Sequence, residues 1–425
     1  MEAVATQISL LKYEAYKDSG EAWIGEIPEH WETLANKYIF RLKKNEVGKR
    51  ASEFTLLSLT LNGVIKRDME NPQGKFPVEF NTYQEVQKGD FVFCLFDVEE
   101  TPRTVGLSPF DGMITGAYTV MEPFEGFSRK FLYYFYLNLD ADKRLKPLYR
   151  GLRNTIPKES FFSFRTFVPP PEEQTAIADF LDRKTAQIDK AIAQKEALIE
   201  RLKERRQILI HRAVTRGLNP DVRMKDSGVE WIGEVPEHWE VKRLKYIASS
   251  INEKIPSKTS SLEYIGMENV ESFTGELVTS TAEVEGLANS FEPGDVLFGK
   301  LRPYLAKVHL AKQKGLCSTE FIVFRPTMII SSAYLQAILL SSGFINLVNS
   351  STFGSKMPRA SFDFISSQYI ALPNKQEQFL IVQFLNNITN KTLTAIATKQ
   401  TEIARLREYK STLINAAVTG KIKVS

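Results

Sequence analysis

The chain has 425 residues, 43% of them apolar and 25% charged, an ordinary globular balance that argues against disorder and, at this length, for two or more domains. It contains no run of about 18 apolar residues and no basic-then-apolar N-terminus, so neither a membrane span nor a secretory leader is expected and the cytoplasm is the expected compartment. Its two cysteines, Cys94 and Cys317, lie in separate halves away from any histidine, cannot build a zinc site by themselves and read as small buried residues.

The first recognisable element is Lys17-Asp18-Ser19-Gly20-Glu21-Ala22-Trp23-Ile24-Gly25-Glu26-Ile27-Pro28-Glu29-His30-Trp31-Glu32. It returns 208 positions later as Lys225-Asp226-Ser227-Gly228-Val229-Glu230-Trp231-Ile232-Gly233-Glu234-Val235-Pro236-Glu237-His238-Trp239-Glu240, with thirteen of sixteen positions identical. All four tryptophans and two of the four histidines lie in these copies. A Trp-Ile-Gly turn followed by Pro with Glu beside it describes a packed opening to a domain, and His30 and His238 read as structural rather than catalytic.

Short β-like runs bounded by Gly, Pro and Asp follow in each half. Lys88-Gly89-Asp90-Phe91-Val92-Phe93 matches Pro293-Gly294-Asp295-Val296-Leu297-Phe298, and Thr115-Gly116-Ala117-Tyr118-Thr119-Val120 matches Ser318-Thr319-Glu320-Phe321-Ile322-Val323. Between these matched strands, residues 94–113 and 299–317 have little in common. A common scaffold with divergent loops is expected to read two different ligands.

Each domain leaves through a proline-marked exit, Val168-Pro169-Pro170-Pro171 or Leu372-Pro373, into a long helix. Ile188, Ile192, Ile199, Leu202, Leu209 and Ala213 keep one apolar stripe, and a shift of 204 lands on Ile396, Ile403, Leu406, Leu413 and Ala417. The lysine interrupting the first stripe, Lys195, falls on Lys399, so even the interruption repeats. The spacing is that of a coiled-coil seam. Residues 183–216 carry ten Lys/Arg against four Asp/Glu and residues 386–425 seven against two, so with a total of only +4 the rest of the chain is net negative. Any nucleic-acid face outside the helices must be a local patch.

Patterns for catalysis fail in context. Gly294-Asp295-Val296-Leu297-Phe298-Gly299-Lys300 approaches a phosphate loop, but Leu301 stands where Ser or Thr must meet magnesium and the middle reads as a strand. Asp221 with Glu240-Val241-Lys242 fits the loose carboxylate-and-lysine pattern of metal-dependent nucleases, yet the aspartate lies in a linker and the other copy reads Glu32-Thr33-Leu34. No dinucleotide glycine motif, Asn-Pro-Pro-aromatic or Gly-x-Ser-x-Gly occurs. Basic residues in turn-like settings are the better candidates for contact, namely Lys66-Arg67, Arg150 with Arg153-Asn154, Lys300 with Arg302 and Tyr304, and Lys356 with Arg359. Arginine can grip a guanine edge bidentately, lysine meets phosphate as a point charge, and asparagine suits adenine.

The order of parts, with the Trp-Ile-Gly-Glu-x-Pro-Glu-His-Trp motif at both openings and Glu173-Gln174 and Glu377-Gln378 at both helix starts, resembles the specificity (S) subunit of type I restriction-modification enzymes over essentially the whole chain. The resemblance implies an α+β chain with a pseudo-two-fold internal duplication, two target-recognition domains (1–171 and 218–373) alternating with two helices (172–217 and 374–425) that pack as an antiparallel coiled coil. It also implies a non-catalytic subunit that binds double-stranded DNA at a bipartite target, one half-site per domain. Methyltransferase (M) subunits, two of them, would dock on it, and restriction/translocase (R) subunits would join. No cofactor is expected on this chain; S-adenosylmethionine, ATP and Mg are expected on the partners. The helix pair is expected to act as a spacer, since residues 183–214 at about 1.5 Å each span roughly 45 Å, against ~35 Å for one DNA turn. A stand-alone nuclease or fused methyltransferase, and a coiled-coil scaffold that binds protein only, are the alternatives.

Overall fold

The computed structural model describes residues 11–68, 80–257, 260–278 and 286–424. Among the described residues seven α-helices are set between short strands: α1 (Arg129–Ala141), α2 (Lys158–Ser163), α3 (Pro171–Arg216), α4 (Ser332–Leu340), α5 (Ser342–Ser350), α6 (Phe362–Ser367) and α7 (Lys375–Val418). Two compact units form, one from Met1–Gln194 with Glu402–Ser425, the other from Lys195–Thr401. Each unit therefore contains half of α3 and half of α7.

In the first unit a four-stranded antiparallel sheet runs Phe40–Lys43, Thr119–Pro123, Phe91–Phe93, Val105–Leu107. In the second, Ala248–Ile251, Phe321–Pro326, Val296–Gly299 and Val308–Leu310 repeat that order and sense. Strand alternation sends Phe91 and Phe93 to one face, where they pack with Phe40, Tyr136 and Phe161, and Val92 to the other, where it meets Val86, Ile114 and Val120. With both faces covered, all three residues of the strand are buried. The Gly-Asp turns before the matched strands are anchors. Asp90 accepts the Gln87 N–H and holds Lys43 at 2.8 Å, and Asp295 accepts the Glu292 N–H and the Arg325 fork at 2.8 and 2.6 Å.

The duplicated opening motif and the Glu-Gln at each helix start are two sides of one contact. Trp31 is fully buried with Nε1 donating to Glu173 at 3.0 Å, while His30 Nε2 lies 2.8 Å from the same carboxylate. Trp239 and His238 meet Glu377 in the same way at 3.3 and 3.0 Å. The adjoining glutamines are buried and satisfied. Gln174 accepts the Ser128 N–H and donates to Pro169 O, and Gln378 accepts the Ser331 N–H and donates to Pro373 O. Pro171 opens α3 with Glu172 and Glu173 in its first turn, whereas Asn374 caps α7 by accepting the Glu377 N–H at 3.0 Å. Each helix stops at a glycine in the left-handed region that lies against an opening motif. Gly217 touches Trp239 and Gly420 touches Pro28, and a Cβ on Gly420 would lie 2.2 Å from the Pro28 ring.

The helices run antiparallel inside each unit. Asp189 of α3 meets Lys410 of α7 at 2.7 Å in the first unit, and in the second Ile210, Ala213 and Val214 share a core with Ile381 and Leu385. Of the seam residues, Ile188, Ile192, Ile199, Ile396, Ile403 and Leu413 are buried, while Leu202, Leu209, Leu406, Lys195 and Lys399 are half-buried. Past Leu202 the buried stripe follows Arg206 and Ile210 instead of Leu209. The shift has a local reason: Arg206 Nη2 reaches Phe273 O at 3.4 Å, so α3 turns that face toward a loop of the second unit.

Candidate nucleic-acid interface

The divergent loops after the matched strands are where basic side chains collect, and in both units a turn from further along the chain docks on that loop. In the second unit the Phe353–Arg359 hairpin closes on itself, Ala360 N–H donates to Lys300 O, and Arg302 N–H donates to Pro358 O at 2.7 Å. In the first, the Arg150–Thr155 hairpin closes likewise, Ile156 N–H donates to Leu95 O, and Asp97 N–H donates to Arg153 O at 2.9 Å. The correspondence extends to backbone conformation, since Asp97 and Arg302 both adopt positive φ, 45° and 49°. One scaffold thus holds an aspartate in the first unit where it holds an arginine in the second.

Lys300, Arg302, Tyr304, Lys356 and Arg359, far apart in sequence, therefore share one patch. Lys300 lines a cleft of about 1180 Å³ together with Arg359, Lys254, Asn252 and the half-exposed rings of Phe353 and Phe362. Arg359 is held by a fork onto Glu320, which keeps its guanidinium protonated and compensates its charge. Arg302 donates weakly to Lys356 O at 3.4 Å, and its buried Nε has no partner among the described residues. Tyr304 is exposed. In the first unit Arg150 caps its own turn through Pro147 O and Tyr149 O, Arg153 is exposed, Asn154 takes a left-handed conformation at φ 45°, and Leu152 at the tip is fully exposed. Lys66 and Arg67 lie elsewhere in that unit, at the end of the 57–66 hairpin. Lys66 Nζ sits 4.9 Å over the Phe110 ring and Arg67 N–H donates to Leu56 O.

The arrangement can present cations, a carboxamide and aromatic rings to a polyanion. Among the described residues no group of three or more His, Cys, Asp or Glu stands close enough to hold a metal ion. Burial pushes both thiols up, that of Cys317 to about 12, in keeping with small core residues.

Residues 236–405 match the family described as Type I restriction modification DNA specificity domain. Over that stretch the chain is similar to the DNA specificity domain of type I restriction-modification systems. Two similar proteins are described as type I restriction enzyme specificity subunits. The Escherichia coli type I restriction enzyme EcoDI specificity subunit is 22% identical over 295 residues, covering 64% of this chain and 66% of that protein, just under two thirds of its length. The MjaVIII specificity subunit of Methanocaldococcus jannaschii is 24% identical over 312 residues, 69% of this chain and 70% of that one. Among solved structures, a chain from work on complex assembly and conformational transition of the type I R-M system superposes with a TM-score of 0.65 at 14% identity, covering 92% of this chain and 98% of that one. The HsdS subunit from Thermoanaerobacter tengcongensis gives 0.51 at 14%, covering 93% and 98%. At such identities these two likenesses bear on the fold.

The equivalence of Asp97 and Arg302 had no sequence signal, because the loops that carry them do not align. The docking of the 353–359 hairpin on the 300–304 loop rests on backbone hydrogen bonds, which no residue pattern announces.

Proposed function

We propose that this chain reads a bipartite double-stranded DNA target, one half-site per recognition domain (1–171 and 218–373), and carries that reading to two docked methyltransferase subunits and, in the full assembly, to restriction/translocase subunits. The observation that carries this is the loop-on-hairpin surface repeated in both units with the same backbone contacts and different side chains, Asp97 against Arg302 and Arg153 against Pro358. A conserved frame bearing unlike side chains is what two unlike half-sites require. The chain performs no chemistry itself; S-adenosylmethionine, ATP and Mg belong to the partners. Cytoplasmic residence goes with this role, and among the described residues no helix is long and apolar enough to cross a membrane.

The test is selection of bound duplexes from a random pool by the chain assembled with its methyltransferase partner. Enrichment of two short conserved blocks separated by a non-specific spacer is expected. A single block, or none, contradicts the proposal. Because the chain outside the helices is net negative, the chain alone should bind weakly, with affinity rising when partners add phosphate contacts.

A further inference from the structure

Beside the four-stranded sheet, each unit has a second strand pairing that holds a carboxamide at one and the same place. In the first unit Gln84 sits opposite Ile114 in the pairing of Gln84–Val86 with Gly112–Ile114, and in the second Asn289 sits opposite Cys317 in the pairing of Leu287–Phe291 with Gly315–Cys317. The side-chain nitrogens donate to equivalent main-chain oxygens, Gln84 Nε2 to Tyr118 O at 2.8 Å and Asn289 Nδ2 to Phe321 O at 3.1 Å. A carbonyl partner fixes which atom of each amide is nitrogen, so each side-chain oxygen is oriented. Neither oxygen accepts a hydrogen bond from the described residues, and Asn289 Oδ1 is buried without a partner in a residue only 5% exposed.

A buried acceptor left open is destabilising, so a site that keeps one has a use for it or hydrates it. Asn289 lines the cleft that also holds Asn252, Lys254, Lys300 and Arg359, with the aromatic rings of Phe353 and Phe362 around it. An oriented carboxamide beside Lys254 and Lys300, neither of them ion-paired among the described residues, suits a nucleobase. Its oxygen accepts from an exocyclic amino group, and its second N–H, free of the main-chain anchor, can donate to a ring nitrogen, the pair of contacts adenine offers through N6 and N7.

Resting on the DNA-reading role proposed above, we propose that Gln84 and Asn289 are equivalent specificity-determining residues, each selecting an amino-bearing base, adenine foremost, at one position of its own half-site. Gln84 is half-buried and longer by one methylene and reaches the base directly; Asn289, at the cleft floor, reads it directly or through one ordered water. The alternative is a structural tie between strands, which would be indifferent to base sequence.

The experiment uses the chain assembled with its methyltransferase partner and reads base preference position by position from a random duplex pool, for wild type, Gln84→Met, Asn289→Ala and Asn289→Gln. Gln84→Met should lower discrimination at a single position of one half-site by roughly ten- to a hundredfold and leave the other half-site unchanged. Asn289→Ala should do so at one position of the other half-site, and Asn289→Gln should retain part of that preference. A folded variant that keeps every preference, or loses affinity equally for all sequences, overturns the proposal. If Asn289→Ala does not fold, Asn289→Gln and the half-buried Gln84→Met still decide. A wild-type assembly that selects no sequence would remove the DNA-reading role itself, an outcome distinct from selective reading that ignores Gln84 and Asn289.

Discussion

At the scale of single residues the two units are not equally legible. Lys300, Arg302, Lys356 and Arg359 stood out in the sequence as basic residues in turns, and the fold gathers them; nothing in the sequence pairs Arg359 with Glu320, a contact created by the 353–359 hairpin. Gln84 and Asn289 are illegible in sequence, since their importance lies in what their amides leave unbonded. Lys300→Ala and Arg302→Ala should weaken the second half-site and Arg150→Ala and Arg153→Ala the first. A lost base contact should cost about 1–3 kcal/mol and relax one position, whereas a lost phosphate contact lowers binding to every sequence. Measured affinities for matched and single-mismatch duplexes separate the two cases, and unchanged binding in all four variants would place the interface elsewhere.

Acid sensitivity also belongs at this scale. His309 is buried with Nδ1–H donating to Gly275 O at 2.8 Å, and loss of solvation holds its pKa below the ordinary 6.5; His211 is depressed by burial and then by the charge of Arg216. The folded state thus binds these protons less readily than the unfolded chain. Their stabilisation is complete above the unfolded value, about 6.5, and is lost as pH falls through it toward the lower folded value. The melting temperature should fall between pH 7 and 5, and less steeply in His309→Asn. Parallel slopes for variant and wild type would show that this histidine does not govern the loss.

At the scale of elements, the long helices were visible because their signal is periodic and repeated, with bounds of Pro171–Arg216 and Lys375–Val418. The strands were visible as turn-bounded runs, but their order in the sheet was not, because pairing across a gap of 20 or more residues leaves no local pattern. In α3 the apolar stripe buries Ile188, Ile192 and Ile199 and half-buries Leu202. Beyond it Arg206 takes a buried position, because its guanidinium has a main-chain carbonyl to bond and its long stem packs like an apolar chain. The Glu-Gln pairs have one physical account, in which Glu clamps the opening Trp and His while Gln ties the loop before α1 or α4 to the helix start. Gln378→Leu strands the half-buried Ser331 N–H and the Pro373 and Ile329 oxygens and should cost about 2–4 kcal/mol in urea unfolding of the second unit, with Gln174→Leu costing the same order in the first. A loss under about 0.5 kcal/mol would show that water replaces the amide without penalty.

At the scale of the whole molecule the duplication is the governing fact. Residues that hold the scaffold, such as Trp31 and Trp239, Asp90 and Asp295, Gln174 and Gln378, are the same in both copies because the same cavities and orphan backbone groups must be filled. Residues on the docked hairpins and loops differ, because the docking contacts common to both units are made by main-chain groups. The central claim is that each recognition domain reads its half-site independently. The most direct measurement replaces residues 218–373 with the corresponding domain of a specificity-family member that has a different target, then maps methylated or bound sequences for the assembled complex. One half-site is expected to change as a block to that of the donor domain while the other is retained. A change in both half-sites, or in neither, would contradict it.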